Sequence, residues 1–223
     1  MTGIVDLFER VRGIVDLGGP VVALLALLSV LATTVILFKI WQFQRAGVGK
    51  RADLGEAVAA RDDGRISDAT RALSESPSYL APILRQVVEA DAPLSPEAQT
   101  RARAQIDAAL SRLEAGFRFL DSIAQIAPLL GLFGTVLGMI EAFQALQSAG
   151  SQVDPSVLAG GIWVALLTTA AGLAVAMPTS LLLAWLEGRT EAERVAAEAY
   201  LSALIAPGLQ PGVDATPAMA HAT

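Results

Sequence analysis

In this chain of 223 residues, apolar residues make up 53%, charged residues only 17%, and mean hydropathy is +0.52, which excludes an ordinary soluble domain. With no cysteine there are no disulfides and no thiolate metal sites, and the single histidine, His221, stands near the C-terminus, so metal catalysis has little to build on. A net charge of -6 without any basic cluster argues against a nucleic-acid partner.

Residues 1–19 place Ile4, Leu7, Phe8, Val11 and Val15 at near-helical intervals between Asp6, Glu9, Arg10 and Arg12. That pattern predicts an amphipathic segment able to lie along a membrane surface. Leu17 to Phe38 carries no charge, and at about 1.5 Å per residue it is long enough to cross a hydrocarbon core of about 30 Å. The first span is therefore placed over 20–41, with Lys39 and Trp41 as interfacial anchors. A cleaved signal peptide is the competing reading, against which stand the length of the run and the lack of a small-x-small site after it.

Residues 42–120 alternate acids and bases among alanines, with breaks at Gly64, Pro77, Pro82, Pro93 and Pro96, and read as a cytoplasmic domain of short helices. The charges around Arg61 to Arg71 are read as a solvated helical surface. Ser95, Pro96 and Glu97 form a good helix start, with a capping hydroxyl, a first-turn proline and an acid that complements the dipole. From there Ile106, Leu110, Leu113, Phe117 and Leu120 lead into Ala124, Ala127, Gly131, Gly134 and Gly138 at helical spacing. One uninterrupted helix rising into the membrane is expected; the alternative is two helices joined near Asp121, since Pro128 must at least bend the ladder.

The second span covers 121–141. On it Gly131, Gly134, Thr135 and Gly138 share one face where another backbone can come close. A short loop, 142–155, contains no lysine or arginine. The third span, 156–186, is longer than a crossing requires and is expected to bend at Pro178; it carries a second small-residue stripe of Gly161, Ala165, Thr168, Gly172 and Ala176. A charged helix follows over 187–206, and the Pro/Gly/Ala-rich tail 207–223 reads as disordered. The basic residues put the large loop and the C-terminus in the cytoplasm and the N-terminus outside. The sum is an all-α membrane protein with three transmembrane helices and long cytoplasmic helical extensions.

Two stretches, APLLGLFGTVLGMIEAF from Ala127 and LAGGIWVALLTTAAGLAVAMP from Leu158, resemble the second and third spans of the MotA/TolQ/ExbB proton-channel family, closest to its ExbB/TolQ branch. The resemblance covers roughly residues 112–187; the rest matches in arrangement only. It implies a homopentamer in a bacterial inner membrane, enclosing the single spans of an ExbD/TolR-like subunit that carries an intramembrane aspartate. It further implies an envelope-spanning partner of the TonB/TolA kind, and proton flow converted into mechanical work for energised transport or envelope maintenance.

By the same resemblance Thr135 and Thr169 match the family threonines that face the central cavity beside that aspartate. Their hydroxyls would serve a proton path; the competing reading is that they bond the carbonyls of their own helices. Val164 stands where the ExbB/TolQ subgroup has a glutamate. Either the partner's aspartate is the sole proton carrier, or this variant does not conduct and is a membrane scaffold organising partner proteins. Glu141 and Asp154 at the outer end either draw cations toward the entrance or are ordinary solvated loop acids. Asp121 has the same ambiguity, with Arg118 in reach as an ion-pair partner. No cofactor is expected, protons are the coupling ion with sodium as the alternative, and no catalytic constellation marks an enzyme.

Overall fold

A computed structural model describes residues 2–90, 94–148 and 155–206, with side chains from residue 19 onward. The amphipathic pattern expected of the first residues, Asp154, and the 207–223 tail with His221 lie outside these described residues or side chains. Among the described residues the elements are α-helices: α1 (Thr2–Arg45), α2 (Ala52–Asp62), α3 (Ile66–Glu75), α4 (Ala81–Glu89), α5 (Pro96–Glu114), α6 (Phe117–Ser148) and α7 (Pro155–Ile205). They divide into two units, residues 1–39 with 116–186, and 40–115 with 187–223.

The first unit holds the apolar spans. Among the described residues, three helical stretches are long and apolar enough to cross a membrane: Gly19–Arg45, Pro96–Ser148 and Pro155–Ile205. Within α1, Gly19 leaves the helical region at φ 67° just before Pro20, which has no N–H to give the ladder, so the helix is broken ahead of its apolar run. Each span has two faces. On α6, Ala127, Gly131, Gly134, Gly138 and Ala142 are buried, while Leu129, Leu132, Phe133, Val136 and Phe143 point outward. Val21 and Leu25 of α1, Ala127 of α6 and Ala176 of α7 form the shared core, flanked by Leu130, Leu137, Ala171 and Val175. Small residues where helices meet and large ones outside suit helix packing in lipid, where close backbone approach replaces the hydrophobic drive available in water.

Several boundaries differ from the sequence reading. The seam from Ile106 to Gly138 is not one helix: it breaks at Ala115 and Gly116, where Gly116 takes φ 93°, a left-handed conformation that glycine adopts without steric cost. The joint lies one turn before Asp121, because the glycine and not Pro128 interrupts the ladder. Asp121 does not pair with Arg118 but accepts from the Gln125 side chain at 2.7 Å, one turn onward on the same helix. α6 runs on through residues 142–148, so the segment expected as loop is half helix. Its apolar spacing persists: Ala142 is buried four residues after Gly138. At the other proline, α7 continues through Pro178 and on into the charged extension. Lys39, expected to snorkel toward water, is 3% exposed, with its ammonium 5.8 Å from the Phe117 ring centre.

The second unit is held by a core of water-soluble type. Leu54, Ala57 and Ala60 of α2, Ala69, Ala72 and Leu73 of α3, Leu84, Val87 and Val88 of α4, Ile106 and Leu110 of α5, and Leu201 and Leu204 of α7 are buried together. α5 starts as read, the Ser95 hydroxyl accepting from the Ala98 N–H with Pro96 in the first turn. Around Arg65 the charges are surface pairs: 2.8 Å to Asp63 and 3.0 Å to Asp68.

Glu193 of α7 is the exception, a carboxylate buried to 2% exposure. One of its oxygens accepts from the Gly49 N–H at 2.9 Å and from the Arg51 guanidinium at 2.9 and 3.2 Å. Gly49 is at φ 87°, a left-handed backbone conformation that glycine adopts without steric cost, so this turn favours glycine. The Tyr79 hydroxyl is buried nearby. Burial first, and the Glu193 carboxylate second, hold its phenol above the ordinary value of 10.0. Stability drawn from the neutral phenol is complete below the unfolded-state value near pH 10 and is lost as pH rises from there toward the folded value. Tyr79→Phe should therefore flatten the decline in stability above about pH 10, measured by denaturation at stepped pH; an unchanged alkaline limb would remove Tyr79 as its source.

Candidate functional site

The chemistry that the spans offer is concentrated where α6 and α7 run antiparallel. A Cβ added at Gly172 would lie 2.5 Å from the Ala127 carbonyl oxygen, at Gly131 2.9 Å from the Thr168 carbonyl oxygen, and at Gly134 2.7 Å from the Thr168 side chain. A Cβ added at Gly138 would lie 3.4 Å from Ala165, and one added at Gly161 would fall directly against Ala142. The two backbones come together over four turns because neither helix presents bulk along this line.

Within that contact three hydroxyls are placed differently. Thr168, 2% exposed, bonds the Ala165 carbonyl of its own helix at 2.7 Å and the Gly131 carbonyl of α6 at 3.2 Å. Thr169, half-buried, donates to the same Gly131 carbonyl at 3.4 Å. Thr135 turns back to the Leu132 carbonyl of its own helix at 2.6 Å. The fold thus draws Thr169 to α6 and leaves Thr135 on its own backbone, the arrangement that buried hydroxyls adopt to satisfy themselves in an apolar setting. Thr168 was legible only as part of the small-residue stripe. Its hydroxyl becomes a bridge between helices because Gly131 leaves its carbonyl uncovered.

At one end of this contact a cavity of about 370 Å³ opens inside the first unit. α1 contributes Pro20 and Val21, α6 contributes Gly134, Gly138 and Glu141, and α7 contributes Gly161, Val164 and Thr168. Val164 is half-buried in this wall. The wall is mostly glycine, alanine and valine, with one carboxylate and one hydroxyl. Such a lining can hold water and a positive charge.

The model of the MotA/TolQ/ExbB proton channel family matches residues 75–199, over half of the chain, and includes both antiparallel helices. The chain is 30% identical over 180 residues to the biopolymer transport protein ExbB of Neisseria meningitidis serogroup A, covering 74% of this chain and 81% of that one. It is 37% identical over 172 residues to a putative biopolymer transport protein, ExbB-like, of Synechocystis, covering 72% of this chain and 64% of the relative. To the Tol-Pal system protein TolQ of Haemophilus influenzae it is 44% identical over 69 residues, 31% of this chain and 30% of TolQ, so with the latter two it spans less than two thirds of the relative. The glycine-lined contact and the threonines on it lie inside the matched region, and this chain, a multi-pass membrane protein by its apolar helices, belongs to the MotA/TolQ/ExbB family on its ExbB/TolQ branch.

Proposed function

We propose that this protein is the channel-forming subunit of an inner-membrane motor that uses proton entry to energise transport or envelope maintenance. The observation that carries the reading is the family match across residues 75–199, which takes in Thr135, Thr169 and the close α6–α7 contact. Five copies enclose the single spans of an ExbD/TolR-like subunit, whose intramembrane aspartate takes up protons beside Thr135 and Thr169. A TonB/TolA-like protein carries the resulting movement across the envelope. The N-terminus faces outward and the second unit lies in the cytoplasm, as the distribution of basic residues favours. Neutralising the partner's aspartate releases it from its polar surroundings and permits a step. Each charge crossing contributes about 2.3 kcal/mol per 100 mV, several times thermal energy, so repeated transfers bias the motion in one direction.

The test is proton flux through the complex isolated gently from native membranes and reconstituted in vesicles, with its composition read by native mass. Flux that disappears when the partner's aspartate is replaced by asparagine supports the reading, and sodium in place of protons would change only the coupling ion. Thr169→Val should lower flux several-fold with the five-copy mass unchanged; equal flux would take Thr169 out of the path. A second reading, a non-conducting scaffold, is favoured by Val164 at the position of the subgroup's glutamate. It predicts no flux with or without the partner's carboxylate.

A further inference from the structure

A carboxylate on a membrane-spanning helix is costly unless it faces water or another polar group. Glu141 stands two turns before the end of α6, between Ile140 and Phe143, whose side chains are exposed on the helix's apolar outer face. Glu141 is exposed as well, but its row of the helix also borders a cavity. Leu137, Gly138, Glu141, Ala142 and Ala145 lie at helical offsets of one turn and all line the cavity that α6 forms with α1 and α7. Across from them in the same wall are Val164 and Thr168. At about 370 Å³ the space has room for several waters at roughly 30 Å³ each. Of its glycines, Gly160 has nothing within 4 Å of an added Cβ, whereas Gly134, Gly138 and Gly161 pack against the neighbouring helix at its edge.

We infer that this cavity is a hydrated vestibule inside each protomer in which Glu141 accepts protons arriving from the outer side, before they reach any shared channel between protomers. The inference rests on the proposed motor function for its purpose, and adds to it a site made by one chain alone. The Glu141 carboxylate takes a proton from water and returns it to water, so nothing else is consumed. The Thr168 hydroxyl, its proton engaged with carbonyls, stands in the same wall.

Two measurements on the whole complex test this. The chain has no cysteine, so Val164→Cys gives a single thiol in the cavity wall and Leu132→Cys one on the outer apolar face. A small cationic methanethiosulfonate added from the outer side should label the first and not the second; a thiol at 164 as inert as that at 132 means the cavity is dry and overturns the inference. This readout does not depend on conduction. The second is proton flux: Glu141→Gln should reduce it about tenfold or more, as expected when a proton-transferring group is removed, with assembly unchanged. Adding Val164→Glu to that variant should restore much of it, since the carboxylate then enters the same cavity from α7. If the wild-type complex conducts and Glu141→Gln conducts equally, the inference fails while the motor reading stands. If the wild type itself does not conduct, the motor reading fails and the labelling result still decides whether the vestibule exists.

Discussion

Gly172→Ala, the addition of a single methyl group, is expected to weaken the α6–α7 contact by about 1–3 kcal/mol, the usual cost of forcing extra volume into a packed interface. The new Cβ would lie 2.5 Å from the Ala127 carbonyl oxygen and 3.1 Å from the Gly131 Cα, both backbone atoms that cannot rotate away, so the helices must separate. Separation lengthens the Thr168 and Thr169 bonds to the Gly131 carbonyl, now 3.2 and 3.4 Å. A larger residue such as valine should prevent assembly. Gly160→Ala is the internal control: it lies on the same helix with nothing within 4 Å of its added Cβ, and should be neutral or gain slightly from helix propensity. Resistance of the detergent-solubilised protein to unfolding in sodium dodecyl sulfate reads both. Equal stability of the two variants would show that close approach at Gly172 is not what holds the spans together.

The second large effect belongs to the other unit. Arg51→Met leaves the Glu193 carboxylate, with a side chain 3% exposed, without the Arg51 cation, while the Gly49 N–H still donates to it. Removing one member of a fully buried pair costs about 3–5 kcal/mol, and because the Arg51 side chain is 37% exposed the expected loss falls at or below the lower end of that range, about 2–3 kcal/mol. Glu193→Gln should cost less, since an amide oxygen still accepts from Gly49 and Arg51 returns to water. Arg51→Met together with Glu193→Gln should then be less damaging than the sum of the two, a coupling that a double-mutant cycle in denaturant measures directly. Strict additivity would mean the pair contributes nothing as a pair.

These two sites also mark the difference between what could be read from the chain and what could not. Hydropathy and the spacing of small residues identify the spans and the packing stripes, because lipid imposes the same demand on every crossing helix: an apolar outside and satisfied backbone groups. Thus Gly131, Gly134 and Gly138 could be set on one face before any coordinates. Helix ends were less legible. One uninterrupted helix is the reading of that seam, with a joint near Asp121 as the alternative, and the break falls at Gly116, since a glycine free to take a positive φ leaves no trace in hydrophobic periodicity.

The sequence by itself determined the three apolar crossings, the helical second unit and the family, through local composition and motif. Only the tertiary structure decided which hydroxyls meet. Thr135 bonds its own helix while Thr168 and Thr169 converge on one carbonyl of α6, a matter of helix rotation and register that no spacing within a single segment records. The same holds for Glu193, which reads as one more acid on a charged helix until Gly49 and Arg51, more than 140 positions away, close over it. Glu141, read either as drawing cations toward the entrance or as a solvated acid, stays exposed while lining a cavity that only the packing of three helices makes. Burial of a charge depends on what long-range packing brings to it, and that is fixed only when the helices are assembled.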